Sequence, residues 1–106
     1  MAWLILVVAG VFEVVWAFAM KQSDGFTRFW PTLITLLAML VSVGLLALSM
    51  RSLPLGTAYT VWTGIGAVGA FVVGVIFLGE AANALRLVAA LLIVSGLLLM
   101  KLSSPE

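Results

Sequence analysis

A single acidic residue, Glu13, sits near the middle of the apolar stretch 2–20, which carries no other charge. A helix of that length rises about 1.5 Å per residue and roughly spans the ~30 Å hydrocarbon core of a bilayer. A carboxylate at that depth is costly unless it is protonated, paired or hydrated. The position of Glu13 therefore predicts a functional group rather than a structural one.

The residues that share a helical face with Glu13 are mostly small. They are Ala9, Gly10, Trp16, Ala17 and Met20. Small side chains let a neighbouring helix or a ligand approach the carboxylate closely. Trp16 offers an N–H donor and a ring face that attracts cations, although an ordinary packing role is the alternative.

Polar side chains elsewhere in the apolar stretches are few. Ser42 lies deep within the second stretch, where it either bonds its own helix backbone or donates to the carboxylate. In the third stretch, Tyr59 and Trp62 share one helical face with Gly66. The run 64–69 matches the G-x-G-x-x-G pattern, but no strand precedes it and no βαβ unit surrounds it. Clustered glycines in an apolar helix instead indicate close helix contact or a local bend.

Composition places the chain among integral membrane proteins. Of its 106 residues, 65% are hydrophobic and 8% are charged, and the mean hydropathy is +1.35. Ordinary soluble domains are about 25% charged. With 5 basic residues and a net charge of +1, the chain has no patch suited to nucleic acid. It contains neither Cys nor His, so we expect no metal site, no cofactor and no enzyme chemistry that needs them.

Breaks in the apolar pattern predict an all-α integral membrane protein, with one four-helix transmembrane domain over residues 1–106. We expect helices at about 2–20, 30–50, 57–78 and 84–101, with a frayed tail at 103–106. Pro31 suits a first helical turn, and Pro54 and Gly56 mark the second connection. A cleaved signal peptide is a poor alternative for the first segment, because it lacks a basic start and contains Glu13.

The basic residues give almost no orientation signal. Four crossings place Arg51 and Lys101 on one side, and Lys21, Arg28 and Arg86 on the other. Loop charge therefore does not choose a topology by the positive-inside rule. A weakly biased single topology is one interpretation. Dual insertion, with opposed copies forming an antiparallel dimer, is the other, and it would supply the inverted symmetry on which many transporters build their sites.

The interior of the spans contains no Lys or Arg, so Glu13 has no built-in counter-ion. Desolvation favours the protonated carboxyl, which can release its proton when a cation replaces it. Mutually exclusive binding of proton and cation is sufficient for antiport if only loaded states change access. The aromatic side chains Trp16, Tyr59 and Trp62 suit a cation with delocalised charge, and a planar guanidinium matches a carboxylate through parallel N–H bonds.

The segments 10–17, GVFEVVWA, and 53–69, LPLGTAYTVWTGIGAVG, resemble the small multidrug resistance family of proton-coupled exporters, most closely its guanidinium exporter subtype. The resemblance covers nearly the whole chain. It implies an antiparallel homodimer in the bacterial inner (cytoplasmic) membrane, in which both copies of Glu13 share one site for guanidinium and protons. It further implies roles for residues outside Glu13. These are Gly10, Trp16, Ser42, Tyr59 and Trp62 around the site, Gly64 and Gly66 as a bend in helix 3, and helix 4, with its small residues Ala89 and Gly96, at the dimer contact.

Export of guanidinium, or of small guanidinium-like cations, in exchange for protons is therefore the leading hypothesis. An exporter of quaternary ammonium cations on the same scaffold is the nearest alternative. A proton-conducting or assembly subunit also accommodates an acid at mid-membrane, but it would show no cation-dependent proton movement. A purely structural membrane protein leaves Glu13 unexplained.

Overall fold

The computed structural model describes residues 1–103, which form four α-helices and no β-strand. The helices are α1 (Ala2–Gln22), α2 (Phe29–Ser49), α3 (Leu55–Leu78) and α4 (Ala84–Leu102). Each has at least 19 residues and a mean hydropathy of at least 2.2. That is long and apolar enough to cross a membrane, so the predicted all-α membrane architecture is confirmed. Beyond Ser103, the predicted tail lies outside the described residues.

The helix ends differ from the predicted ones by no more than two residues. The first helix continues through Lys21 and Gln22, because the Ser23 hydroxyl donates to the Met20 carbonyl at 2.6 Å and completes the last turn. The third helix begins at Leu55 rather than 57. Pro54 supplies its N-cap in an extended conformation, and its carbonyl accepts from the backbone N–H of Ala58 at 2.9 Å.

The connection between α1 and α2 is a tight, locally bonded turn. Asp24, Gly25 and Phe26 have φ angles of 50°, 72° and 67°, in the left-handed region that residues other than glycine rarely adopt. The Ser23 hydroxyl oxygen accepts from the backbone N–H of Phe26 at 3.0 Å. Thr27 donates to the Asp24 carbonyl at 2.8 Å. These bonds hold a chain reversal at the end of the bundle opposite to the N-terminus.

The central helix of the bundle is α1, which packs against both α2 and α3. It runs parallel to α3, because Val14 lies at Gly69 and, further along both helices, the Phe18 and Phe77 rings lie 6.4 Å apart. The buried core consists of Leu6, Ala9, Leu46, Leu53, Ala58, Val61 and Trp62. This core fills the half of the bundle between the start of α1 and Glu13. Cavities open beside α1 in the other half, and a groove lies between α3 and α4 in the core half.

The fourth helix lies at the edge of the core, against which its residues Leu97 and Met100 pack. Among residues 1–103, its backbone approaches that of α3 alone, and none of its residues is buried. Leu97 lies against Gly64 of α3, and the Lys101 ammonium lies 4.7 Å from the centroid of the Trp3 ring. These contacts tie α4 to α3 and to the start of α1, while most of its large apolar side chains are exposed.

We expect Gly10→Ala to lower the free energy of unfolding by about 1–3 kcal/mol through overpacking. An added Cβ would lie 2.8 Å from the Cβ of Ile65, an atom that no side-chain rotation can move away. The matched control is Gly44→Ala on α2, where nothing lies within 4 Å of an added Cβ. Chemical denaturation in detergent micelles measures both variants, and equal stabilities would contradict a tight contact between α1 and α3.

Candidate functional site

The Glu13 side chain leaves α1 toward α3 and lies against the backbone at Gly66. A Cβ on residue 66 would overlap the Glu13 carboxylate. Glycine is therefore required at this position for the carboxylate to occupy its place between the two helices. The sequence associates Gly66 with a bend in helix 3, and the structure adds this second reason for a glycine.

One carboxylate oxygen of Glu13, Oε1, is buried and has no hydrogen-bond partner among the described residues. Buried polar atoms are nearly always hydrogen-bonded, so each exception in a folded protein calls for an explanation. In this position a bound cation would stabilise the ionised carboxylate, whereas a bound proton would make the group neutral and so remove the cost of a buried charge. The arrangement therefore suits a group whose partner arrives and leaves.

Trp16 lies one helical turn beyond Glu13 and is half-buried. Its indole nitrogen Nε1 is also buried without an acceptor in the part of the chain that the structure describes. Two polar atoms without partners thus occur one turn apart on the same helix. The indole nitrogen of Trp3, about three turns before Glu13, is buried without an acceptor in the same way. A binding role for Trp16 therefore stays a prediction.

A chain of hydrogen bonds joins the three core helices beside Glu13. The indole N–H of Trp62 on α3 donates to the Ser42 hydroxyl at 3.0 Å. Ser42 on α2 in turn donates to the backbone carbonyl of Ala9 on α1 at 2.7 Å. All of these groups are buried. Ser42 therefore bonds neither its own helix nor Glu13, and both interpretations left open by the sequence are replaced by a contact between helices.

Tyr59 accompanies Trp62 but occupies a different surface. Their ring centroids lie 5.7 Å apart at an interplanar angle of 45°. Trp62 is buried, whereas Tyr59 is half exposed in a groove of about 800 Å³ between α3 and α4. A direct part for Tyr59 at the Glu13 site stays a prediction.

The small residues predicted to serve the site lie in several places. Gly10 is buried beneath Ile65, and Gly64 lies against Leu97 of α4. Gly64 and Gly66 thus face two different neighbours on an α3 that is helical from Leu55 to Leu78. A bend at these glycines stays a prediction.

The two small residues expected at the dimer contact, Ala89 and Gly96, both lie on exposed parts of α4. An added Cβ at Gly96 would have no neighbour within 4 Å. Position 96, which lines the groove between α3 and α4, therefore has room for a contact with a second copy, and its use in a dimer stays a prediction.

One participant was not predicted from the sequence, namely the carbonyl of Ala9 that accepts from Ser42. Every residue has a backbone carbonyl, so the residue type at position 9 does not identify it as an acceptor. The neighbouring small residues at positions 9 and 10 were the only available signal, because they let α2 and α3 come close to the α1 backbone. Across residues 1–103, no group of three His, Cys, Asp or Glu side chains could hold a metal ion.

The fold and the site together define a small membrane transporter, and comparison with known proteins identifies its family. The model of the Small Multidrug Resistance protein family matches residues 1–93. A guanidinium exporter of Escherichia coli K12 is 57% identical over 104 residues, which cover 98% of this chain and 99% of the relative. Guanidinium exporters of Citrobacter freundii and Salmonella typhimurium are each 53% identical over 104 residues, with the same coverage.

The chain therefore belongs to the Small Multidrug Resistance family. It is a multi-pass transporter of the bacterial inner membrane, as the resemblance of its first and third helices implies.

We expect Ser42→Ala to lower the free energy of unfolding by about 1–3 kcal/mol, because it leaves the buried Trp62 N–H without an acceptor. Ser49→Ala is the matched control. Ser49 is fully buried on the same helix, but its hydroxyl donates to Leu46, one turn away in α2. Ser49→Ala should lower the free energy of unfolding less than Ser42→Ala does, since it breaks no contact between helices.

Chemical denaturation of Ser42→Ala, of Trp62→Phe and of the double variant Ser42→Ala/Trp62→Phe provides a double-mutant cycle for the pair. We expect a coupling energy of about 0.5–3 kcal/mol between positions 42 and 62. Additive effects of the two substitutions would show that the bond does not hold the helices together.

Proposed function

We propose that this chain exports guanidinium in exchange for protons, with both ligands bound in turn at Glu13. The observation that carries this proposal is the carboxylate held against Gly66, with one buried oxygen that has no donor among residues 1–103. The choice of cargo is supported by relatives that are named guanidinium exporters and align along nearly the whole chain.

The chemistry around Glu13 suits a planar cation. Guanidinium carries delocalised charge, is less strongly hydrated than an ammonium and can bond both carboxylate oxygens at once. Trp16 adds a ring face one turn away, and such faces attract cations most strongly where water is excluded. The apolar interior of the four helices contains no Lys or Arg to compete for the carboxylate.

Exchange follows from the single carboxylate. A proton and a cation each neutralise it, and they exclude one another because both occupy the same oxygens. An uncompensated carboxylate in the apolar interior is costly, so the empty, ionised state is disfavoured while access changes sides. Movement of one ligand outward is then coupled to movement of the other inward.

We further propose that two copies form an antiparallel homodimer in which both Glu13 side chains line one site. Basic residues divide almost evenly between the two ends of the bundle, so either orientation is acceptable on insertion. The exposed surface of α4, including Ala89 and Gly96, offers a face for a second copy. Gly64 and Gly66, which lack side chains in the middle of α3, would let that helix bend as access alternates.

We expect Glu13→Gln to reduce guanidinium-driven proton movement in reconstituted vesicles to the background of protein-free vesicles. The amide is similar in size to the carboxylate but neither carries the charge nor exchanges the proton. Asp24→Asn is the matched control, because it removes one exposed carboxylate from the loop between α1 and α2. That variant should transport at the wild-type rate.

The same assay separates the remaining alternatives. Proton movement driven by quaternary ammonium cations but not by guanidinium would retain the transporter and replace its cargo. Proton flux that is independent of any cation would indicate a proton-conducting subunit instead. Persistence of guanidinium-driven flux in Glu13→Gln would overturn the role of the carboxylate.

We expect a single cysteine at Ser52→Cys to react with a membrane-impermeant maleimide from both faces of the membrane, in roughly equal fractions. The chain has no native cysteine, and Ser52 lies exposed in the loop between α2 and α3. Labelling of intact cells is compared with labelling after permeabilisation. Reaction from one face alone would contradict dual insertion and, with it, the antiparallel homodimer.

A further inference from the structure

The end of α3 folds Glu80 back onto the helix. Gly79 adopts a left-handed conformation with φ 68°, and the backbone N–H of Glu80 donates to the Gly74 carbonyl at 3.1 Å. The Gly74 carbonyl also accepts from the backbone N–H of Gly79, and helices commonly end at a glycine in the left-handed conformation. The Glu80 carboxylate then lies against Gly74, where an added Cβ would overlap it. The sequence alone presents Glu80 as a solvated loop charge, whereas the structure gives it a fixed place.

The Glu80 carboxylate lines a cavity of about 330 Å³ between α1, α3 and the start of α4, here called the vestibule. Lys21 and Arg86 are the other charged residues of its lining, and Ala17 and Ala67 belong to its apolar wall. Ala17 lies one helical turn beyond Glu13, or about 6 Å along the axis. Ala67 directly follows Gly66, which contacts Glu13. The vestibule therefore extends from one end of the bundle to within a turn of the Glu13 site.

A guanidinium group already lies in the vestibule, namely that of Arg86. Its central carbon Cζ is 5.4 Å from the centroid of the Phe71 ring, which also lines the vestibule. The start of α4 holds Arg86 in register, since the Asn83 side chain accepts from its backbone N–H at 3.0 Å. An aromatic face and a carboxylate in one cavity are the two features that recognise this planar cation.

We propose that Glu80 and the Phe71 ring form a second, shallower guanidinium site at the entrance to Glu13, whose aromatic side the Arg86 guanidinium covers. This inference rests on the proposed function. An incoming guanidinium ion displaces Arg86 from Phe71, is held by the Glu80 carboxylate and passes along the apolar wall to Glu13. In an antiparallel dimer, one such entrance would lie at each face of the membrane.

The position of Glu80 determines what its charge can contribute. The residue is exposed, so its attraction for a cation is weakened by water and by salt. Such a charge raises the local concentration of substrate and the rate of entry more than it strengthens the final complex. The expected signature is therefore a change in kcat/KM that shrinks as ionic strength rises, while kcat at saturating guanidinium changes little.

The experiment measures guanidinium-driven proton movement in vesicles for wild-type protein, Glu80→Gln and Asp24→Asn at low and high salt. Asp24 is exposed at the same end of the bundle, outside the vestibule lining, and its φ of 50° is one that asparagine tolerates. At low salt we expect Glu80→Gln to lower kcat/KM about 3- to 10-fold, up to the lower end of the range of electrostatic steering, because only one charge is removed. We expect no change in Asp24→Asn. Equal effects of the two substitutions would overturn the vestibule site.

The substitutions Arg86→Gln and Arg86→Lys test the displacement step. Removal of the tethered guanidinium in Arg86→Gln should raise kcat/KM at low salt, whereas Arg86→Lys, which keeps the charge but loses the planar group, should give a smaller increase. A loss of kcat/KM in Arg86→Gln with retention in Arg86→Lys would overturn the proposal. It would show that position 86 serves only as a cationic anchor at the membrane surface.

Gly74→Ala tests the location of Glu80 without changing charge, and Gly44→Ala is its control. The added methyl group should displace the Glu80 carboxylate and reproduce part of the Glu80→Gln defect, with the same salt dependence. The Gly74→Ala variant also tests the role of the Glu80 carboxylate if the Glu80→Gln variant fails to fold. Wild-type protein that moves no protons with guanidinium overturns the proposed function and this inference together. Active wild-type protein with unchanged Glu80→Gln and Gly74→Ala variants overturns the inference alone.

Discussion

The cost of a carboxylate in an apolar interior is the constraint on which this structure depends. Glu13 is accommodated because α3 presents Gly66 to it, so that the carboxylate rests on backbone rather than on a side chain. One of its oxygens is left without a donor among residues 1–103. An acidic group within a membrane span is normally protonated, paired or hydrated, and this is the physical basis of the proposed exchange of a proton and a cation at Glu13.

The parts of the bundle on either side of Glu13 differ in how the helices pack. Between the start of α1 and Glu13, the core is closed by Leu6, Leu46 and Val61, and the bond chain from Trp62 through Ser42 to Ala9 links three helices. Beyond Glu13, cavities between the helices reach the end of the bundle. The carboxylate thus lies at the boundary between the packed core and these cavities.

Much of this arrangement was predictable from residue types. Apolar run length predicts four spans, and the isolated charge of Glu13 predicts the centre of the candidate site, because both depend on hydrophobicity alone. The partner of Ser42 was not predictable, since a hydroxyl in a helix has several acceptors within reach and the one it uses is a backbone carbonyl of another helix. The placement of Glu80 depends on how the chain leaves α3 at Gly79, a conformational choice that the residue pattern permits but does not require.

The peripheral position of α4 has a consequence for how such chains diversify. Because its backbone borders only α3 within the described residues, substitutions on its outward surface touch neither the core nor the Glu13 carboxylate. That surface is free to drift among apolar residues as long as it remains compatible with lipid or a neighbouring chain. Gene duplication followed by changes confined to this helix would then produce two chains that associate with each other yet retain the same ion chemistry.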